Sequence, residues 1–468
     1  MINSNTLIIF GATGNLFKRK LFPALYIIFS REIKKNKNYS FALVGTAYEN
    51  VSIDSLLAEC RPFITQPIKE DIWQVIVKSC YYYCLDFTKK NDFFSFKEYV
   101  CSIEKRHDLS GSRLLYCATA ADFFAPITKY SAESLLITPK KISDRPWHRI
   151  VYEKPFGANK KEAQEINKVI KKYVHENQIY RIDHYLTKEV VGNIALVRFT
   201  NCIFEPLWSS RYIDNVQIIL SESVGIENRG YYDKYGAVSD VVQNHMLALV
   251  ALIAMEKPKR LKSEDIRQER AKVLEDVEIK EGIFGQYEGY KKEKTINYKS
   301  STETFAALFF YINNARWAGV PFYLKTGKHL VEKKTVIVVK FKQVACLLKS
   351  CPRESNYLTI NIDPDAGFSL MLNVKKPFFQ QAAMPISMKF SHDCLYEGSV
   401  PEAYEILLQE LIRGERSVSV LFEEVERAWD IVQKIKAKNF PLYVYKKGSN
   451  GPKELALFNK KHGIRWYK

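Results

Sequence analysis

The chain has 468 residues, 47% apolar and 26% charged, a balance that excludes intrinsic disorder and leaves ample length for two domains with real cores. Lys and Arg outnumber Asp and Glu by 70 to 52, a formal charge of +18, which favours anionic partners but does not choose between phosphates, a membrane surface and nucleic acid. The start has no basic region ahead of its short apolar run, unlike a secretory signal, and no segment reaches the run of about 18 apolar residues that a membrane span needs.

In chain order, strands are expected at TLIIF (6–10), FALVGTA (41–47), YYYCLDF (81–87), LLYCATA (114–120) and RIVYE (149–153), each followed by a helical pattern such as LFPALYIIFSREI. That alternation predicts a doubly wound parallel sheet, the Rossmann-like α/β class. After about residue 213 the strand patterns lie closer together: NVQIILSES, TFAALFFYI, VPFYLKT, TVIVVKFK, YLTINI and FSLMLNVK, several joined by short turns such as Asp363 to Gly367. This predicts a larger α+β domain with a mostly antiparallel sheet. The boundary is placed at 183/184, giving a dinucleotide-binding domain over 1–183 and a substrate-binding and dimerisation domain over 184–468. The Lys-rich stretch Tyr290 to Lys299 reads as a solvated loop or edge. Nine cysteines run from Cys60 to Cys394. Neither close pair, Cys80 with Cys84 or Cys346 with Cys351, has matching His or Cys neighbours, so zinc and disulfide readings are weak and a reducing cytoplasmic compartment is expected.

Four clusters could carry chemistry. The first strand runs into Gly11-Ala12-Thr13-Gly14-Asn15-Leu16 and then a helix with Lys18, Arg19 and Lys20. Such a turn lets backbone N–H groups approach a pyrophosphate at a helix N-terminus, although Thr13 and Leu16 hold two of the usual glycine positions and a plain tight turn fits as well. In RIDHYLTKE (181–189), His184 and Lys188 would share one helix face one turn apart, suited to a phosphate dianion, unless Asp183 merely caps the helix and the charges are solvated. EKPFG, with Lys154, ends the fifth strand, where open α/β sheets bind ligands. Asp240 and His245 flank an otherwise apolar helix over 239–258, and His245 is either a base or a satisfied core residue. Lys325 to Lys334 is either a charged hairpin or part of a site.

Together these strings resemble the glucose-6-phosphate dehydrogenase family over nearly the whole chain: GATGNLFKRK, EKPFG, RIDHYLTKE, DVVQNH followed by AMEKP, GVPFYLKTGKHL, PEAYE, ERAW and YKKGSNGP. The resemblance implies oxidation of β-D-glucose 6-phosphate at C1 to the 6-phosphogluconolactone, with hydride passing to NADP, or to NAD, as the first step of the oxidative pentose phosphate pathway. By similarity, His245 takes the C1 hydroxyl proton and Asp183 orients its imidazole. His184, Tyr185 and Lys188 would hold the phosphate. Lys154, Glu222, Asp240, Lys328 and Lys333 would contact the substrate, and Pro155 would be cis. Gly11, Ala12, Thr13, Gly14, Asn15, Leu16, Lys20, Tyr48 and Lys154 would line the cofactor, no metal would be needed, and the broad sheet would pair across a homodimer, with a tetramer also open.

Several positions depart from the family. Asn15 replaces an aspartate, Thr187 a glycine that leaves the phosphate turn less crowded, and Ala121 a proline. The segment Glu222 to Tyr231 is one residue short. Tyr48 stands where an arginine usually pairs with the 2′-phosphate of NADP, and Glu49 beside it suits the free ribose hydroxyl of NAD. The rival readings are a dehydrogenase for another hexose 6-phosphate, such as galactose or glucosamine 6-phosphate, a catalytically dead scaffold, and a nucleic-acid-binding protein. The last is disfavoured by the absence of a zinc finger or RNP-like motif.

Overall fold

The computed structural model describes residues 5–36, 38–139, 144–227, 230, 232–348, 350–352, 355–379, 381–391 and 402–467. Cys394, Pro401 of PEAYE, and residues 228, 229 and 231 of the shortened segment lie outside them. The chain divides into two compact units, Met1–Thr187 with Pro401–Val425, and Lys188–Val400 with Glu426–Lys468.

The first unit is built on six parallel strands: β1 (Thr6–Phe10), β2 (Ala42–Ala47), β3 (Cys80–Cys84), β4 (Arg113–Cys117), β5 (His148–Tyr152) and β6 (Ile179–Arg181), in the order β3-β2-β1-β4-β5-β6. β1, β2 and β4 are buried at every position, which explains why they read as unbroken apolar runs: helices cover both faces of a parallel sheet. The strand order reverses on either side of β1, leaving the ligand crevice of such sheets beyond the ends of β1 and β4. Sequence reading missed β6, only three residues long and too short for periodicity to register.

It also gave no sign that the first unit is discontinuous. The helix Ala403–Arg413 packs Leu407, Leu408, Leu411 and Ile412 into the same core as Leu7, Leu25 and Phe29. Arg31 pairs with buried Glu405 at 2.8 Å, and Arg149 donates to the carbonyls of Leu411 and Ile412 at 2.7 and 2.6 Å, closing the helix end that Gly414 terminates with φ +90°. The single cut drawn at 183/184 therefore differs from the observed division by this returning segment and by residues 184–187, which stay with the first unit.

The second unit carries nine strands: β7 (Ile213–Ser221), β8 (Val277–Tyr287), β9 (Phe305–Ile312), β10 (Phe322–Gly327), β11 (Lys334–Phe341), β12 (Tyr357–Asp363), β13 (Gly367–Lys375), β14 (Ala383–Ser391) and β15 (Leu442–Tyr445). Their order is β14-β13-β12-β11-β7-β10-β9-β8-β15, antiparallel except for the β7/β10 and β8/β15 pairs. A helical stretch from Tyr232 to Ala254 is long and apolar but almost wholly buried, so it is a core helix of this unit. Its last carbonyls are satisfied by indole N–H groups, Trp208 to Ile253 and Trp317 to Ala254, each at 2.8 Å. The fully buried Arg198 guanidinium adds donors to Ile253 and Met255. A buried helix end requires such partners, and these anchor the helix that bears His245.

Residues 290–299 form turns with mostly exposed lysines, as read. One reading is corrected. Cys346 and Cys351 form a disulfide, five residues apart in an exposed loop, a pair that spacing alone had not favoured. Cys60, Cys80 and Cys117 are buried free thiols.

Candidate active site

At the end of β1 the backbone turns at Gly11 with φ +89°, and a Cβ there would lie 2.6 Å from the carbonyl oxygen of Ala118 at the end of β4. Gly11 and Ala12 donate to the Thr46 carbonyl, and Gly14 donates back to Gly11 at 3.1 Å. The helical run begins at Asn15, so the turn presents a helix N-terminus, with Gly14 and Asn15 exposed. Thr13 and Leu16 do not prevent this geometry, since the close backbone approach falls on Gly11. The residues present fit a dinucleotide: a tight glycine turn, a helix N-terminus and the strand-order reversal coincide. Replacing Gly11 with Ala should destabilise the first unit by about 1 to 3 kcal/mol, from the positive φ and the clash together. Thermal melts with and without NAD would show it as a lowered Tm and a lost cofactor-induced shift.

Glu49 follows β2 and accepts a hydrogen bond from the Thr13 hydroxyl at 2.9 Å; its carbonyl also accepts from Tyr82. An acidic side chain is therefore tied to the glycine turn itself. Tyr48 is 72% exposed, with its carbonyl accepting the Cys84 thiol at 3.1 Å. The nearby lysines have carboxylate partners, Lys20 with Glu402 at 3.3 Å and Lys18 with Glu59 at 2.6 Å.

EKPFG follows β5, and the Lys154–Pro155 peptide is cis. Buried Glu153 accepts from the Tyr116 hydroxyl at 2.5 Å and from Tyr404 at 3.4 Å, and burial pushes its carboxyl pKa up despite those donors. Nothing local to EKPFG signals this support for the Lys154 loop, because Tyr404 arrives from the returning segment. Ala121 opens a short 3-10 turn over Ala121–Phe123, so the missing proline does not alter a strand.

RIDHYLTKE is not the start of a helix in the way the spacing suggested. Residues 184–187 form a turn, and the helix begins at Glu189. Asp183 is buried, and its Oδ1 accepts from the Tyr185 N–H at 2.8 Å, the aspartate-led turn that competes with helix. Thr187 is buried as well and spends its hydroxyl on the His184 carbonyl at 2.7 Å, closing the turn rather than crowding outward. Lys188 has extended backbone angles and caps the helix through its own carbonyl, which receives the Val191 N–H at 2.8 Å. Asp183, His184 and Tyr185 belong to the first unit, and Lys188 to the second.

In the second unit, Asp240 and His245 sit on a π-helical stretch, Val238–Met246. In a regular α-helix, residues five apart point about 140° away from each other; bonding to the fifth residue instead brings them to one side. His245 is buried and Asp240 half-buried. Glu222 follows β7 and Lys328 follows β10, and because those strands are parallel neighbours the two meet: Lys328 Nζ, almost fully buried, donates to Glu222. Lys328 also lies 5.0 Å over the ring of Tyr232. Burial, then the charges of Asp240, Glu303 and Glu222, push the Tyr232 phenol far up; Tyr232 is a buried tyrosine that sequence reading had not singled out.

Within the Lys325 to Lys334 stretch the lysines take different partners, Lys328 with Glu222 as above. Lys325 stacks 4.9 Å over Trp466, and burial, with the charge of Lys334, lowers its pKa to about 8. Lys333 instead reaches Asp363 at 2.8 Å.

Residues 8–193 match the family model described as "Glucose-6-phosphate dehydrogenase, NAD binding domain", and residues 195–467 match "Glucose-6-phosphate dehydrogenase, C-terminal domain". A glucose-6-phosphate 1-dehydrogenase of Bacillus subtilis is 38% identical over 487 residues, covering 98% of each chain, and one from Chlamydia muridarum is 37% identical over 450 residues, covering 91% of this chain and 88% of that one. A solved glucose-6-phosphate dehydrogenase in complex with its substrate glucose 6-phosphate superimposes with a TM-score of 0.89 at 28% identity over 100% of this chain and 99% of that one. The Mycobacterium avium glucose-6-phosphate 1-dehydrogenase gives 0.84 at 29% identity, with the same coverage. With both family models matched end to end, and with a glycine turn for a nicotinamide dinucleotide in one unit and a buried histidine and paired lysines in the other, the chain belongs to the glucose-6-phosphate dehydrogenase family.

Proposed function

We infer that the chain oxidises β-D-glucose 6-phosphate at C1 to 6-phospho-D-glucono-1,5-lactone, acting on a CH–OH donor with a nicotinamide dinucleotide as hydride acceptor. The observation that carries this reading is the match to both family models together with His245, a buried histidine on the same π-helical face as Asp240.

The chemistry assigns the roles. Loss of hydride from C1 must be accompanied by loss of the hydroxyl proton, and His245 is the base that takes it. Asp183 accepts a hydrogen bond from the imidazole, orienting the ring and stabilising the imidazolium as the proton arrives. Glu222 and Asp240 accept hydrogen bonds from sugar hydroxyls, His184, Tyr185 and Lys188 hold the phosphate dianion, and Lys333, which shares the Asp363 carboxylate with Lys188, adds its charge there. Lys154 and Lys328 add positive charge along the sugar. Together these contacts hold C1 in register for transfer. The Gly11 to Leu16 turn, with Lys20, Tyr48 and Lys154, would hold the dinucleotide, which would supply the hydride acceptor.

Cofactor choice follows from Tyr48 and Glu49. A tyrosine cannot neutralise a 2′-phosphate, Glu49 repels one, and Lys18 and Lys20 are engaged with carboxylates. NADP and NAD are both accepted, with the usual NADP preference weakened. The test is the absorbance rise of reduced nicotinamide with glucose 6-phosphate and each cofactor at saturation, repeated with galactose 6-phosphate and glucosamine 6-phosphate. No turnover on any of the three sugars would leave a scaffold reading in its place. Lys188→Ala should raise the KM for glucose 6-phosphate about tenfold or more with a smaller effect on kcat, since a charge-assisted contact to the phosphate is lost.

A further inference from the structure

Asp363 ends β12, Lys333 directly precedes β11, and Lys188 directly precedes the helix Glu189–Thr200. β11 and β12 are antiparallel neighbours with Thr335 opposite Asp363, so the start of one strand and the end of the other lie side by side. A single carboxylate oxygen, Asp363 Oδ2, lies 2.8 Å from Lys333 Nζ and 3.6 Å from Lys188 Nζ. Asp363 and Lys188 are about three-quarters buried, while Lys333 is 64% exposed. Burial alone would raise the Asp363 pKa, but the Lys333 hydrogen bond and the Lys188 charge outweigh it and hold the carboxyl below the usual range, so it is ionised at neutral pH. The sequence had offered Asp363 only as the first residue of a turn.

We propose that Asp363 is a positioning residue that engages Lys188 and Lys333 in the free protein in place of the sugar phosphate, and so sets how weakly that phosphate is held. This rests on the reading of the two lysines as phosphate ligands. Two ammonium groups brought together with no anion between them repel each other, so the carboxylate keeps them convergent. An arriving dianion then meets lysines that are already partly neutralised and a fixed like charge beside its own oxygens. It must displace the carboxylate from at least one lysine. Both effects subtract from affinity and neither touches the reacting C1 end.

The experiment is calorimetric titration of the full-length protein and its Asp363→Asn, Asp363→Glu and Lys188→Ala variants with inorganic phosphate and with glucose 6-phosphate. Asp363→Asn should lower both Kd values by about twofold to fivefold, the range expected for losing competition from partly exposed ion pairs. Asp363→Glu, which keeps the charge, should stay near the parent. A merely structural role predicts weaker binding, never tighter. If Asp363→Asn binds equally or more weakly while Lys188→Ala still weakens phosphate binding, the inference fails alone. If Lys188→Ala leaves both Kd values unchanged, the phosphate reading fails and takes the inference with it.

Discussion

Replacing His245 with Asn should lower kcat by about 10² to 10⁴, the usual contribution of a positioned general base, while the Kd for glucose 6-phosphate stays within about twofold. Asn is close in reach and retains hydrogen bonding but cannot take a proton at neutral pH. The site is well placed to register this change cleanly. His245 is buried on a helix whose far end is locked by Trp208, Trp317 and Arg198, so the substitution removes a function from a rigid support. Single-turnover kinetics at saturating cofactor, paired with a binding measurement for the sugar phosphate, separates the two quantities. A variant that keeps most of its turnover would take His245 out of the proton transfer. One that loses binding instead would mean that the base and the phosphate ligands have been exchanged.

The second large effect is expected at Tyr48. Tyr48→Arg should raise the ratio of kcat/KM for NADP to that for NAD by about tenfold to a hundredfold, the worth of one charge-assisted hydrogen bond to a phosphate. The side chain is 72% exposed, so an arginine can be accommodated without repacking. Glu49 remains a drag on this gain, since it is held at the turn by Thr13. Combining Tyr48→Arg with Glu49→Ser should therefore exceed Tyr48→Arg alone. Initial rates with each cofactor check both points, and an unchanged ratio would show that the 2′-phosphate is read elsewhere.

What was legible in the sequence follows periodicity and motif. The buried parallel strands announced themselves as apolar runs, and each of the five named strands is found within a few residues of its predicted place. The glycine turn was readable because Gly11 occupies a position that only glycine fits. The RIDHYLTKE segment was misread as helical because His184 and Lys188 have helical spacing. Asp183 instead draws the Tyr185 N–H into a local turn, an interaction that periodicity does not encode. Asp363 and Tyr232 escaped notice for a different reason: their partners lie far along the chain, and only strand pairing brings Asp363 beside Lys333. The π-helical pitch at Asp240 and His245 was equally invisible, since the same apolar pattern suits an ordinary helix.

The return of residues 401–425 to the first unit has a consequence for biosynthesis. The chain emerges from the ribosome N-terminus first, and roughly two hundred residues separate Thr187 from that segment. At about 5 to 20 residues per second, the nascent cofactor unit waits on the order of ten seconds or more before Leu407, Leu408 and Leu411 can seal its core. Throughout that interval an apolar face against the helix Phe22–Lys35 stands uncovered, and the whole second unit must be made before it is closed. Chains truncated before residue 401 lack the segment that covers this face and are expected to aggregate where the full chain stays in solution.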